Sequence, residues 1–171
     1  DKNQNFEPVV SPALSVVYNP WKDHTFRLSY STAVRNPTMA DQYLYYDVGR
    51  AILIGNLNGM DSLVTVDSFR DALNTVPTFG WDKLEFFNVA PILPEQVQTV
   101  EIGYRGMFNN KFYIDFSYYH SWYQHFIGYN IGIAIDYNPA NPFPSTFQAY
   151  RIAANAKDQV TTQGANIGAN Y

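Results

Sequence analysis

The stretch QTVEIGYRGMFNNKFYIDFSYYHSWYQ, Gln98 to Gln124, alternates apolar and polar residues on both sides of a tight turn. Before the turn, Val100, Ile102, Tyr104 and Phe108 form an apolar set, separated by Thr99, Glu101, Gly103 and Arg105. After Asn109-Asn110-Lys111 the pattern resumes, with Phe112, Ile114, Phe116 and Tyr118 on one face and Tyr113, Asp115, Ser117 and Tyr119 on the other. A period of two denotes strands with one oily and one wet face. Both oily sets lie on one face only if the loop is odd-numbered, and the simplest choice is Asn109–Lys111 with Phe108 opposite Phe112. That register sets Tyr104 against Phe116, Ile102 against Tyr118 and Arg105 against Asp115, all favourable cross-strand pairs. Strands this long, rich in rings on one side and charged on the other, suit a membrane β-barrel better than a soluble sandwich.

A second hairpin lies upstream. Leu14, Val16 and Tyr18 alternate with Ser15 and Val17, and Asn19–Asp23 reads as the turn. The return strand carries Phe26, Leu28 and Tyr30 against Thr25, Arg27, Ser29 and Ser31. A five-residue turn would place Val16 opposite Phe26 and Leu14 opposite Leu28. Pro8 and Pro12 confine the start of this segment to extended, poorly paired chain. Residues 164–171 alternate again, with Ala165, Ile167, Ala169 and Tyr171 facing one way and Gly164, Asn166, Gly168 and Asn170 the other.

Between these strands run two long connections, residues 35–97 and 126–147, both punctuated by proline and without sustained alternation. Phe69, Ala72, Leu73 and Val76 predict one short helix in the first, with Asp67 or Ser68 as its N-cap. Connections this long are usually functional. Five strands joined as tight turn, long loop, tight turn, long loop have the layout of an outer-membrane barrel, yet too few strands to close one. The expectation is therefore an all-β fold, a segment of a larger antiparallel transmembrane barrel, with residues 1–171 belonging to one barrel domain.

Composition bounds the function. Of 171 residues, 17% are aromatic and only 15% charged, against about 25% charged in ordinary globular domains. There is no cysteine, so thiolate and disulfide chemistry are excluded. A net charge of −4 gives no reason to expect nucleic acid. No apolar run reaches the roughly 18 residues of a membrane-spanning helix. The chain opens on Asp1 without a signal peptide, which a secreted barrel needs, so an interior or processed piece is expected.

Several motifs resemble those of TonB-dependent outer-membrane receptors. They are Ser11–Tyr18 with Asp23–Tyr30, the arginine-proline element Ala33-Val34-Arg35-Asn36-Pro37-Thr38, and Leu93-Pro94-Glu95 leading into Glu101-Ile102-Gly103-Tyr104-Arg105-Gly106. The last is similar to that family's L-x-P-E … E-I-G-Y-K-G strand. Gln163-Gly164-Ala165-Asn166 stands where the family has Gly-Val-Glu, with Asn in place of the acid. The resemblance touches about half the chain, in the family's order. It implies a 22-stranded barrel in the Gram-negative outer membrane, with long extracellular loops, closed by a plug domain not present in this chain. It further implies import of a scarce nutrient (a complexed metal, oligosaccharide or peptide), powered through TonB, which would contact the plug. Outer-membrane lipid and the rest of the barrel are the other implied partners. A surface lipoprotein or another complex subunit is a further expected partner.

Arg27, Glu101, Arg105 and Asp115 share the polar face. An arginine at mid-membrane on the lipid face costs roughly 2–4 kcal/mol, so all four are expected to face the lumen. They would serve either as a network bracing the wall or as contacts for plug or solute. Tyr18, Trp21, Phe108, Trp122 and Tyr123 near strand ends read as interfacial aromatic belts. The loop aromatics Tyr43, Tyr45, Tyr46 and Trp81, with Phe86 and Phe87, would either meet a ligand or pack the loop on itself. His24 is expected at the tight-turn end, and His120 and His125 toward the other, so all three cannot bind one metal. No histidine falls between Arg35 and Pro94, where haem receptors of the family place one, which argues against haem. Asp41, Asp47, Asp61, Asp67 and Asp71 lack calcium-loop spacing, and no nucleophile elbow or close carboxylate pair stands out. No cofactor, metal site or enzyme is expected. A small enzyme-bearing barrel would need a catalytic set that is missing here. The competing reading is a soluble β-sandwich with long recognition loops, since alternation alone does not distinguish the two.

Overall fold

A computed structural model describes residues 5–171; Asp1–Gln4, the first residues of the expected barrel segment, lie outside the described residues. In chain order the elements are β1 (Ala13–Trp21), β2 (His24–Arg35), α1 (Met39–Tyr43), β3 (Tyr45–Asp47), β4 (Ile52–Ile54), β5 (Met60–Val64), α2 (Val66–Leu73), β6 (Phe86–Val89), β7 (Glu95–Phe108), β8 (Phe112–Gln124), β9 (Ile127–Ile135), β10 (Phe147–Asn155) and β11 (Val160–Asn170). They form two compact units. One holds residues up to 36, 94–126 and 157–171; the other holds 37–93 and 127–156.

The first unit is a five-stranded sheet in the order β1-β2-β7-β8-β11, antiparallel throughout, and open. These are the five alternating segments of the sequence. The β7–β8 register places Phe108 opposite Phe112, Tyr104 opposite Phe116, Ile102 opposite Tyr118 and Arg105 opposite Asp115. Asn109 and Asn110 supply the turn with φ of 52° and 53°, a conformation asparagine tolerates better than most residues.

The β1–β2 hairpin departs from expectation by two residues: Val16 faces Leu28, Leu14 faces Tyr30 and Tyr18 faces Phe26. The reason is the turn. It tightens to Lys22-Asp23, with Asp23 at φ 64°, and the register shifts between Tyr18 and Trp21. Pro20, unable to donate to the ladder, sits in that irregularity. A shift of two leaves every side chain on its assigned face. Across four strands the rows therefore run true, for example Leu28–Ile102–Tyr118–Ala165 on the apolar side.

The second unit is built by the connections. Its six-stranded sheet has the order β3-β4-β10-β9-β5-β6, so strands of both connections interleave. All its pairings are antiparallel except β4 with β10, which is parallel. This corrects the reading of the second connection. It does not end near 147; Phe147–Asn155 is a strand of this sheet, and the fifth strand of the first sheet begins only at Val160. The first connection likewise ends where β7 starts, at Glu95.

Two apolar clusters flank the central strands. Leu63, Val89, Ile152 and Ala154 form one, with Phe87 and Tyr150 against it. Val64, Phe69, Ala72, Phe79 and Ile133 form the other, with Trp81 and Ile135 alongside. Consecutive Leu63 and Val64 point to opposite clusters, as the strand pleat requires. Gly132 allows this closeness: a Cβ there would stand 2.9 Å from Phe87 Cζ and 3.0 Å from Leu63 Cβ. Helix α2 confirms the helical spacing of Phe69 and Ala72, but its N-cap is Thr65, whose hydroxyl accepts from Ser68 N–H. Val76 lies beyond its end and is exposed.

Candidate functional site

On the polar face of the five-stranded sheet, β8 sets Asp115 between two arginines. Arg105, directly opposite, donates from Nε and Nη2 to Asp115 Oδ2 at 3.0 and 2.8 Å. Arg27 of β2 reaches Asp115 Oδ1 at 3.5 Å from a strand further away. It does so by crossing Gly103, whose missing side chain leaves room: an added Cβ would lie 3.3 Å from Arg27 Nε. Tyr113 completes the cluster, donating its hydroxyl to Asp115 Oδ2 at 3.2 Å. One carboxylate thus ties three strands together. The fourth expected member stands apart. Glu101, two positions before Gly103, is exposed and shares no ion pair or side-chain hydrogen bond with the cluster. Its direct neighbours, Ser29 and Tyr119, offer no cation.

A second ion pair on the same sheet was not foreseen. Arg35 at the end of β2 meets Glu95 at the start of β7 at 3.7 Å, with the Glu95 side chain 8% exposed. Both residues lay in motifs already singled out, but pairing β2 with β7 was the missing step, since they are sixty residues apart.

The apolar face carries rings at both ends. At the tight-turn end His24 accepts or donates at 2.8 Å to Tyr104 Oη and meets Trp21 and Phe108 edge-on, while Phe26 packs on Tyr104. At the other end Trp122 lies against His120 at 4.4 Å, and Tyr118 donates to Gln163. Tyr18, Trp21, Phe108, Trp122 and Tyr123 all stand near strand ends, as expected. Tyr123 differs in face: its register opposite Val97 puts it on the polar side, with its ring against Phe126. His24 packs against Trp21, Tyr104 and Phe108, and His120 against Trp122; among the described residues no three His, Asp or Glu side chains are grouped to hold a metal.

In the second unit the four loop aromatics separate. Trp81 packs into the interior, edge-on to Phe79 and Tyr137, and donates Nε1–H to the Asn141 carbonyl at 2.8 Å. Its ring is committed to packing the connection. Tyr43, Tyr45 and Tyr46 are exposed around the outer strand β3. A residue absent from the expectations is Arg151, whose guanidinium lies 3.7 Å from the centre of the Tyr129 ring beside a cavity walled partly by α1.

Over residues 1–171 the chain matches the family described as TonB dependent receptor-like, beta-barrel. No curated protein sequence matches it. Among solved structures it is similar to the crystal structure of the siderophore receptor PirA from Acinetobacter baumannii, with a TM-score of 0.55 and 11% identity. That likeness covers 97% of this chain but only 21% of that receptor, and at such identity it is a likeness of fold. The open antiparallel sheet with one oily face, and the match along its whole length, place this chain in the TonB-dependent receptor β-barrel family.

Proposed function

We propose that the chain supplies wall and extracellular connections to a transporter that imports a scarce nutrient across the Gram-negative outer membrane. The observation that supports this most is the exposure of the sheet's apolar face. Leu14 is 70%, Leu28 52%, Ile102 47% and Ile167 79% exposed. A soluble sandwich would bury those side chains under a second sheet, so that alternative is not favoured. Acyl chains are the partner such a face requires, and the arginine-rich face then lines the lumen. The outer strands β1 and β11 each have one edge that would pair with further strands of a closed barrel, 22 in all by family resemblance. A plug domain in the lumen, and TonB acting on it, complete the machine. The cargo is a complexed metal, an oligosaccharide or a peptide. A surface lipoprotein partner gains no support from the fold or the family and is not proposed.

The test is energised uptake. In a Gram-negative host expressing the full receptor, one labelled member of these nutrient classes should accumulate, and collapse of the proton-motive force should abolish accumulation. Entry that continues unchanged after collapse would contradict a TonB-powered importer.

A further inference from the structure

We propose that the connections carry a binding pocket for a small solute bearing a carboxylate on a flat apolar body, with Arg151 as its anion receptor. This deepens the transport reading and rests on it only in taking the connections as solute-facing. The cavity, of about 170 Å³, lies within the second unit. Leu44, Leu53 and Ala153 give it an apolar lining, and Tyr129, Arg151 and Asp41 a polar one.

Arg151 is held ready for such a ligand. Its guanidinium carbon lies 3.7 Å over the centre of the Tyr129 ring, a cation–π contact that restrains the side chain without using up its N–H donors. No ion pair among the described residues includes Arg151, and no hydrogen bond among them engages its guanidinium. By contrast Arg27, Arg35, Arg70 and Arg105 all have a carboxylate partner. A fork of N–H donors fixed in one plane matches a carboxylate in bidentate geometry.

A second charged lining residue limits what enters. Asp41 closes the capping box of α1, its Oδ2 accepting from Thr38 N–H and Thr38 Oγ1–H, each at 2.8 Å. Its carboxylate therefore stays in the lining, disfavouring a ligand with a second negative charge. A ring-sized apolar body against Leu44, Leu53 and Ala153 with one carboxylate at Arg151 satisfies every surface present.

The probe is benzoate, set against its neutral counterpart benzamide, with the full-length receptor in detergent and binding read by ligand-observed NMR. Benzoate is expected to bind at least tenfold more tightly than benzamide, a comparison that needs no variant. Arg151→Gln should reduce benzoate binding to the benzamide level, and Leu53→Trp, which fills the cavity, should weaken both probes. Arg70→Gln, on an arginine already paired with Asp67, should change nothing. Equal binding of the two probes, or benzoate binding untouched by Arg151→Gln, would overturn the proposal. Because binding is read without uptake, its failure is separable from failure of the importer reading.

Discussion

The two units of this chain bury their oil in opposite ways. Every buried aliphatic and aromatic residue, from Ile52 and Leu63 to Phe79, Ile133 and Ile152, belongs to the connections. In the five-stranded sheet the buried positions are Glu95, Gly103, Gly106 and Ser121, while its leucines, isoleucines and rings stay open. A sheet of such length with no core of its own is not a failed globular domain. It is a surface whose apolar side needs a solvent other than water, whereas the connections fold as ordinary protein does, around packed clusters. The same residue type therefore has a different energetic meaning in the two units.

The largest effect expected from breaking this contrast is in the connections. Leu63→Ala removes a side chain with no solvent exposure, and the resulting cavity should cost about 2–5 kcal/mol. Faster proteolysis or hydrogen exchange of residues 37–93, with the barrel strands unchanged, is the readout. Loss of the barrel first would show that the core is not separate.

A somewhat smaller effect is expected in the sheet, and only on one face. Leu28→Arg should destabilise the receptor in bilayers by roughly 2–4 kcal/mol, as for an arginine at the membrane midplane. Ser29→Arg, one residue on, should change little, as measured by reversible urea unfolding in lipid. Similar penalties at both positions would remove the distinction between faces.

The smallest concerns Asp115. Asp115→Asn withdraws the carboxylate shared by Arg27 and Arg105, leaving two cations on neighbouring strands. Because all three side chains are partly solvated, the loss should be slight at low ionic strength and fade as salt screens the repulsion. A large, salt-independent loss would show the cluster to be a sealed structural core.

The same contrast governs what could be read from the residues. Long strands with strict alternation carried their own face and register, so β7 and β8 were legible down to the Arg105–Asp115 pair. The β1–β2 hairpin was legible in face but not in register, because Pro20 introduces an irregularity that alternation does not encode. The sheet of the connections was not legible at all. β3 and β4 have three residues each, too short for a period; they pair with each other, and β4 joins the rest of the sheet only through a parallel pairing with β10 of the other connection. Helix α2 was found because Phe69 and Ala72 face one cluster, yet Thr65 rather than Asp67 caps it. For the candidate sites, Arg27 and Arg105 were recognisable from parity alone. Arg151 was not, since its meaning depends on Tyr129, 22 positions earlier and brought beside it only by β9–β10 pairing.

The central claim is that neighbouring residues of one strand meet different solvents. Nitroxide labels placed singly at Ile102→Cys and Glu101→Cys in the bilayer-embedded receptor test it through collisions with oxygen and with a water-soluble nickel chelate. Ile102 should favour oxygen and Glu101 the chelate. The same ratio at both positions would mean that no lipid face exists.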